Sequence, residues 1–295
     1  MYSLLIIAVL LAVLLWVTVD SLSKIFIKRL GRQRSIVSIV AIGIIPAIIA
    51  VVIIGLPSMN VYGFIELLAA SAAAGVALFA GFVAVYKSIG KAGIANSYIL
   101  VELQPPILII FGLLALSEHL NSIQLASIAL IFIGIIFVTT TKGLKLNRKL
   151  LPSVIGNVFW ALYWIAAVTA MTYLKEYALL LLFIRIFAAL FALVYYIISR
   201  PPSLYHGELL NRTKNIVPAY LIMLIVIAGL ADGTANILFS FVSFNHKLAV
   251  ASAILTMEPI IVWLIGIKFY KEKVSRFQKI GFIIATAGYI LLSIA

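Results

Sequence analysis

The stretch that decides the fold occurs twice: residues 102–124 read ELQPPILIIFGLLALSEHLNSIQ, and residues 256–278 read TMEPIIVWLIGIKFYKEKVSRFQ. Pro105, Glu118, Gln124 and Gly134 recur as Pro259, Glu272, Gln278 and Gly288, both sets spaced P-x12-E-x5-Q-x9-G and 154 residues apart. At the same offset Gly75 meets Gly229, Ala95 meets Ala249, and Gly112 meets Gly266. In each copy the Pro lies inside an apolar run, the Glu in a short polar break, and the Gly inside the next apolar run. One helical hairpin has been used twice, which divides the chain into two like halves.

Of the 295 residues 65% are hydrophobic and only 11% charged, with a mean hydropathy of +1.23. A soluble domain of this size needs more charge to cover its surface. The chain parses instead into ten apolar runs, roughly 3–25, 35–56, 62–86, 94–116, 120–140, 151–173, 177–199, 216–241, 248–270 and 274–295. At about 1.5 Å rise per residue, each is long enough for a helix to cross about 30 Å of hydrocarbon. The runs are too long, and too free of polar alternation, for barrel strands. The expected fold is all-α integral membrane: ten transmembrane helices as two five-helix repeats, 1–146 and 147–295. Because five is odd, the second repeat enters the membrane inverted.

Several chemistries are excluded or disfavoured. The chain has no cysteine, which removes disulfides, thiolate metal sites and thiol nucleophiles. His119, His206 and His246 are scattered in loops, so no metal site is expected, and no other cofactor. No serine or carboxylate group sits in a hydrolase or transferase arrangement, so the chain does not read as an enzyme. The first run is read as a span rather than a cleaved leader, since no basic residue precedes it and no cleavage site follows.

The formal net charge of +13 becomes informative once it is mapped onto the loops. Of the 22 Lys and Arg residues, 19 fall on the loops after runs 1, 3, 5, 7 and 9, from Lys24 to Lys279. The opposite side has only Lys175 and Lys247, and Arg185 lies within a run. Charge dispersed over five short loops reads as a topology signal facing anionic cytoplasmic lipid, not as a nucleic-acid surface. By this rule the basic loops are cytoplasmic and both termini lie outside. The expected partners are a small-molecule solute and the bilayer, for a monomer or homodimer.

Polar residues inside the runs mark candidate sites, because a charge at depth is costly unless it is used or paired. Trp16, Asp20 and Lys24 form one stripe of the first helix. Asn157, Trp160 and Trp164 do the same on the sixth run, beside Tyr163, and an amide among aromatics suits an organic solute. Asp232 and Asn236 share a face of the eighth run, and the ninth carries Thr256 and Glu258. In the fourth run Glu102 and Gln104 precede Pro105 and Pro106. These prolines, and Pro259 in the ninth run, are expected to kink helices beside a polar interior. The second run, with Pro46 and no charge, reads as a peripheral packing helix. Arg185 should have an acidic partner, for which Glu102 is the candidate, or else snorkel outward.

The tryptophan in the first helix of each half, with Gln104-Pro105 before Ser117-Glu118 and Glu258-Pro259 before Lys271-Glu272, resembles the drug/metabolite transporter superfamily, EamA-like branch. The resemblance spans the chain, though neither Glu here is preceded by the family's usual glycine, and family members usually keep both termini cytoplasmic. It implies a secondary transporter working by alternating access, with amino acids or related metabolites as the solute class. Symmetry pairs Gln104 with Glu258 and Glu102 with Thr256, positions that point to opposite helix faces, since two residues are about 200° apart. Gln104 and Glu258 are therefore favoured for the cavity wall. Glu258 and Asp232 are candidates for proton coupling. A sugar-phosphate or nucleotide-sugar carrier of the same superfamily is the nearer alternative, and a membrane enzyme acting on lipid-linked substrates the more remote one.

Overall fold

The computed structural model describes residues 2–98, 103–116, 121–141, 145–146, 148–199, 217–245, 248–255 and 257–294. Its helices are α1 (Tyr2–Leu30), α2 (Arg32–Ile42), α3 (Ile44–Ile54), α4 (Val61–Ala92), α5 (Ile94–Tyr98), α6 (Gln104–Ala115) and α7 (Ser122–Thr139). A two-residue antiparallel ribbon, β1 (Thr140–Thr141) with β2 (Lys145–Leu146), precedes the second half. There follow α8 (Leu151–Leu174), α9 (Ala178–Ile198), α10 (Ala219–Phe244), α11 (Leu248–Leu255), α12 (Met257–Lys268) and α13 (Arg276–Ile294). Among the described residues six helical segments are long and apolar enough to span a bilayer: 7–30, 32–54, 61–92, 151–174, 178–198 and 219–244. Large apolar side chains such as Ile53, Leu114 and Ile198 cover the exterior, as hydrocarbon solvent requires.

Prolines mark three of the runs. Pro46 has no N–H and crowds the carbonyl of Ile42, so the second run stops at Ile42, turns through Gly43 and restarts at Ile44. This run packs with one part and faces outward with the other: Ile36, Ile39 and Val40 on α2 are fully buried against α9 and α10, while Ile48, Val52 and Ile53 on α3 are exposed. In the fourth run α6 starts at Gln104, with Pro105 and Pro106 in its first turn, and residues 99–102 before it lie outside the described residues. In the ninth run α12 starts at Met257, with Pro259 in its first turn. First-turn N–H groups have no intrahelical acceptor, so proline costs nothing there and presets the backbone.

The duplicated glycines sit where helices approach most closely. A Cβ on Gly134 (α7) would lie 2.6 Å from the Gly281 carbonyl oxygen on α13, and one on Gly288 (α13) would lie 2.8 Å from the Ser127 carbonyl oxygen on α7. Ser127 and Gly281 are themselves 154 residues apart, so the α7–α13 contact is reciprocal. Likewise Gly75 brings α4 onto Ile184 and Phe187 of α9, while Gly229 brings α10 onto Ile39 and Ile42 of α2. Small residues at such crossings replace the hydrophobic drive that lipid does not supply.

A valine at Gly288 must displace α7 backbone, and overpacking of this kind costs about 1–3 kcal/mol. Gly288→Val is expected to lower the thermal unfolding midpoint in detergent by several degrees. Gly90→Ala, whose new Cβ would meet only Ile27 Cγ2 at 3.9 Å, is expected to leave it unchanged or slightly raised.

Candidate functional site

The helical spacing of Trp16 and Asp20 places both on the face of α1 turned to the bundle interior, where they border a cavity. Phe82 and Leu78 of α4 form one wall, and Trp160, Tyr163 and Trp164 of α8 another. Asp232 and Asn236 of α10, one turn apart, form a third. The cavity is closed by Gln104 at the start of α6, by Leu255 at the end of α11 and by Glu258 at the start of α12. Its empty volume is about 490 Å³ with the open mouth included.

The aromatic side chains are packed edge to face. Trp16 and Trp164 have ring centroids 6.3 Å apart at 79°, and Phe239 lies behind both, 5.6 and 4.5 Å away. Phe82 meets Trp160 at 5.5 Å and 80°. The Trp160 indole fits only because residue 81 is glycine, since its ring occupies the space a Cβ would take.

A buried polar chain fixes the α10 wall. Arg185 of α9 and Asp232 form a salt bridge, both almost wholly buried, and Arg185 Nη2 also donates to the Asp232 carbonyl at 3.3 Å. Asn236 Nδ2 donates to the Asp232 carbonyl at 2.7 Å, and Tyr163 Oη donates to Asn236 Oδ1 at 2.7 Å. The guanidinium is admitted because Gly43 has no side chain: a Cβ there would lie 2.9 Å from Arg185 Nη1. Arg185 thus has Asp232 as an acidic partner; Glu102, the candidate from sequence, lies outside the described residues. α10 packs where α9 can reach it, which is what brings Asp232 to the guanidinium.

One turn past Asp20 the α1 stripe continues to Lys24, which forms a salt bridge with Glu272. The Glu272 carboxylate also accepts from Ile94 N at 3.0 Å and Ala95 N at 2.8 Å, the opening of α5. Gly93, at φ +85°, leaves room for it, since a Cβ there would collide with the carboxylate. Lys24 Nζ lies 4.9 Å from the centroid of the Tyr270 ring, and Tyr270 Oη donates to the Ser21 carbonyl at 2.6 Å. Burial, and then the Glu272 charge, push the Tyr270 hydroxyl above its ordinary pKa, so it remains a donor. These contacts tie α1, α5 and the α12–α13 turn together on the basic side of the cavity.

Of the residues singled out from sequence, Trp16, Asp20, Gln104, Trp160, Trp164, Asp232, Asn236 and Glu258 come together around this cavity. Asn157 does not border it; it is fully buried, and its Nδ2 donates to the Ser153 carbonyl at 2.8 Å. Thr256 and Glu102 lie outside the described residues. Val19, Leu78, Phe82 and Leu255 were missed, because nothing in sequence separates them from ordinary core. Tyr163 and Glu272 carried a signal, adjacency to the Trp stripe in one case and recurrence in both repeats in the other. Among the described residues no cluster of His, Asp and Glu is arranged to hold a metal.

A family model described as "EamA-like transporter family" matches residues 3–140 and, a second time, residues 149–294. A solved structure titled only "Crystal structure of protein" superposes with a TM-score of 0.65, covering 98% of this chain and 96% of that one at 14% identity. At that identity the likeness is one of fold. No curated protein matches the sequence.

Removing one partner of a buried ion pair strands the other, at a cost of about 3–5 kcal/mol. Arg185→Leu and Asp232→Leu are each expected to lower the unfolding midpoint sharply, and the double variant to recover much of the loss. Singles within a degree of wild type would show that the pair does not hold α9 to α10.

Proposed function

The chain belongs to the EamA-like transporter family, and on that premise we propose that it is a secondary transporter moving a small polar organic solute by alternating access. The observation that carries the reading is the cavity, whose aromatic, amide and carboxylate groups come from both halves: Trp16, Asp20 and Gln104 from the first, Trp164, Asp232 and Glu258 from the second. Amino acids and related metabolites are the class to which the family resemblance points. The ten spans act as two inverted repeats. This is supported by the reciprocal glycine contacts, and by Gln104 and Glu258, which are 154 residues apart, both buried at helix starts and both at the cavity. Sites of this kind form at repeat interfaces around broken helices.

Alternating access needs a closure on each side. The Lys24–Glu272 contact, with Tyr270 on Ser21, supplies the one on the basic side. A sugar-phosphate carrier would hold its phosphate with Lys or Arg. Among the described residues the cavity lining includes neither, which favours an uncharged or cationic head group. Glu258, which borders the cavity at the start of α12, is the carboxylate assigned to proton coupling, since an acid in low dielectric can cycle between charged and neutral forms.

Two outcomes check this reading. In proteoliposomes the protein is expected to exchange at least one small polar metabolite, with an imposed pH gradient raising its accumulation in wild type and not in Glu258→Gln. Accumulation indifferent to the gradient in wild type would make the protein a facilitator. For orientation, the basic loops are proposed to face the cytoplasm. Single cysteines at Ser3 and Lys145 are therefore expected to react with an impermeant maleimide on intact cells only at residue 3; reaction at 145 alone reverses the assignment.

A further inference from the structure

We propose that a crevice at the α4–α8 seam binds one membrane lipid whose headgroup carries a primary amine, drawn from the leaflet opposite the basic loops. The site is separate from the transport cavity and does not rest on the transport reading. Space, depth and charge carry it.

The space lies between two helices that are pressed together elsewhere. A Cβ on Gly156 of α8 would lie 3.1 Å from the Gly81 carbonyl oxygen of α4, so the helices touch there. Near the start of α4 and the end of α8 a crevice opens between them, with an empty volume of about 690 Å³, open mouth included. Ala70, Ala166 and Ala170 line it, and their methyl groups leave room that larger side chains would fill. Glu66, Thr169 and Tyr173 line it too, and all three are exposed.

The depth follows from what surrounds the mouth. Ile65, beside Glu66, and Leu162, two turns before Thr169 on α8, are exposed apolar side chains. Toward the end of α4 the exterior stays apolar, with Val61 and Tyr62 72% and 79% exposed. Glu66 therefore lies inside a belt that faces hydrocarbon, where a carboxylate is costly without a partner. Among the described residues no cation stands within ion-pair distance of it.

The charges then select the lipid. An ammonium group placed on Glu66 neutralises it where it stands. Lys175, exposed and one residue past Leu174 of the crevice, caps α8 at the same end and offers its ammonium to a phosphate. A zwitterionic aminophospholipid matches both charges, with an acyl chain along the alanines. An anionic lipid brings Glu66 no ammonium, and a trimethylated headgroup has no N–H to donate to the carboxylate.

The test reconstitutes the full chain in nanodiscs of equal parts phosphatidylethanolamine, phosphatidylcholine and phosphatidylglycerol. The protein is then released into detergent, and the retained lipid is counted by native mass spectrometry. Wild type is expected to keep phosphatidylethanolamine about threefold or more over either other lipid, as suits one partly exposed charged contact. Glu66→Gln is expected to bring the three lipids to equal retention, with an unfolding midpoint in detergent alone like that of wild type. Lys175→Gln is expected to weaken phosphatidylethanolamine retention, and Ala166→Leu, which fills the crevice, to lower retention of all three. If Ala166→Leu fails to fold, Glu66→Gln decides. Equal retention by wild type overturns the proposal, as does an amine preference that survives in Glu66→Gln or in folded Ala166→Leu. Stronger phosphatidylethanolamine retention in Lys175→Gln overturns it as well, since Lys175 would then be the partner of Glu66.

Discussion

A guanidinium inside a bilayer must be neutralised where it stands, and much of the second half of this protein follows from how that is done for Arg185. The partner, Asp232, fixes the face of α10 toward α9, and the same carboxylate and carbonyl orient Asn236, which in turn receives Tyr163 from α8. Gly43 and Gly229 leave the space that lets α2 close over the pair. One ion pair therefore positions three helices and finishes one wall of the cavity.

The remaining architecture answers the problem of broken backbone at membrane depth. Irregular segments are tolerated there only against protein or a water-filled space. The starts of α6 and α12, each with proline in its first turn, and the end of α11 border the cavity through Gln104, Glu258 and Leu255. On the basic side Glu272 caps the opening of α5 and takes Lys24, so a loop carboxylate ties α1, α5 and the α12–α13 turn together.

What the sequence disclosed, and what it withheld, divides along physical lines. Periodicity within one helix was legible: Trp16 with Asp20, and Asp232 with Asn236, share faces by spacing alone. The repeat was legible too, because duplicated Gly, Pro and Glu survive where backbone geometry needs them, as at Gly134 and Gly288. Pairings between helices were not legible, since nothing local sets which face of α9 meets α10, and Arg185 could be matched to Asp232 only by packing. Pro46 was visible, but whether its break leaves a peripheral or a buried helix depends on neighbours. Phe82 and Leu78 became part of the site only by standing opposite Trp160. Glu272 could be recognised as a recurring mark, yet its partners lie 177, 178 and 248 residues away in the chain.

The central claim is a single cavity reached alternately from the two faces, with Lys24–Glu272 as the closure on the basic side. Because the chain has no cysteine, a reporter thiol at Leu78, on the cavity wall, can be combined with thiols at 24 and 272 joined by a short reducible bridge. Labelling of the Leu78→Cys thiol by an impermeant maleimide is then read in vesicles of either orientation. The account predicts labelling from the basic face only when the bridge is open, and labelling from the opposite face whether or not it is. Labelling from the basic face that persists with the bridge closed would contradict it.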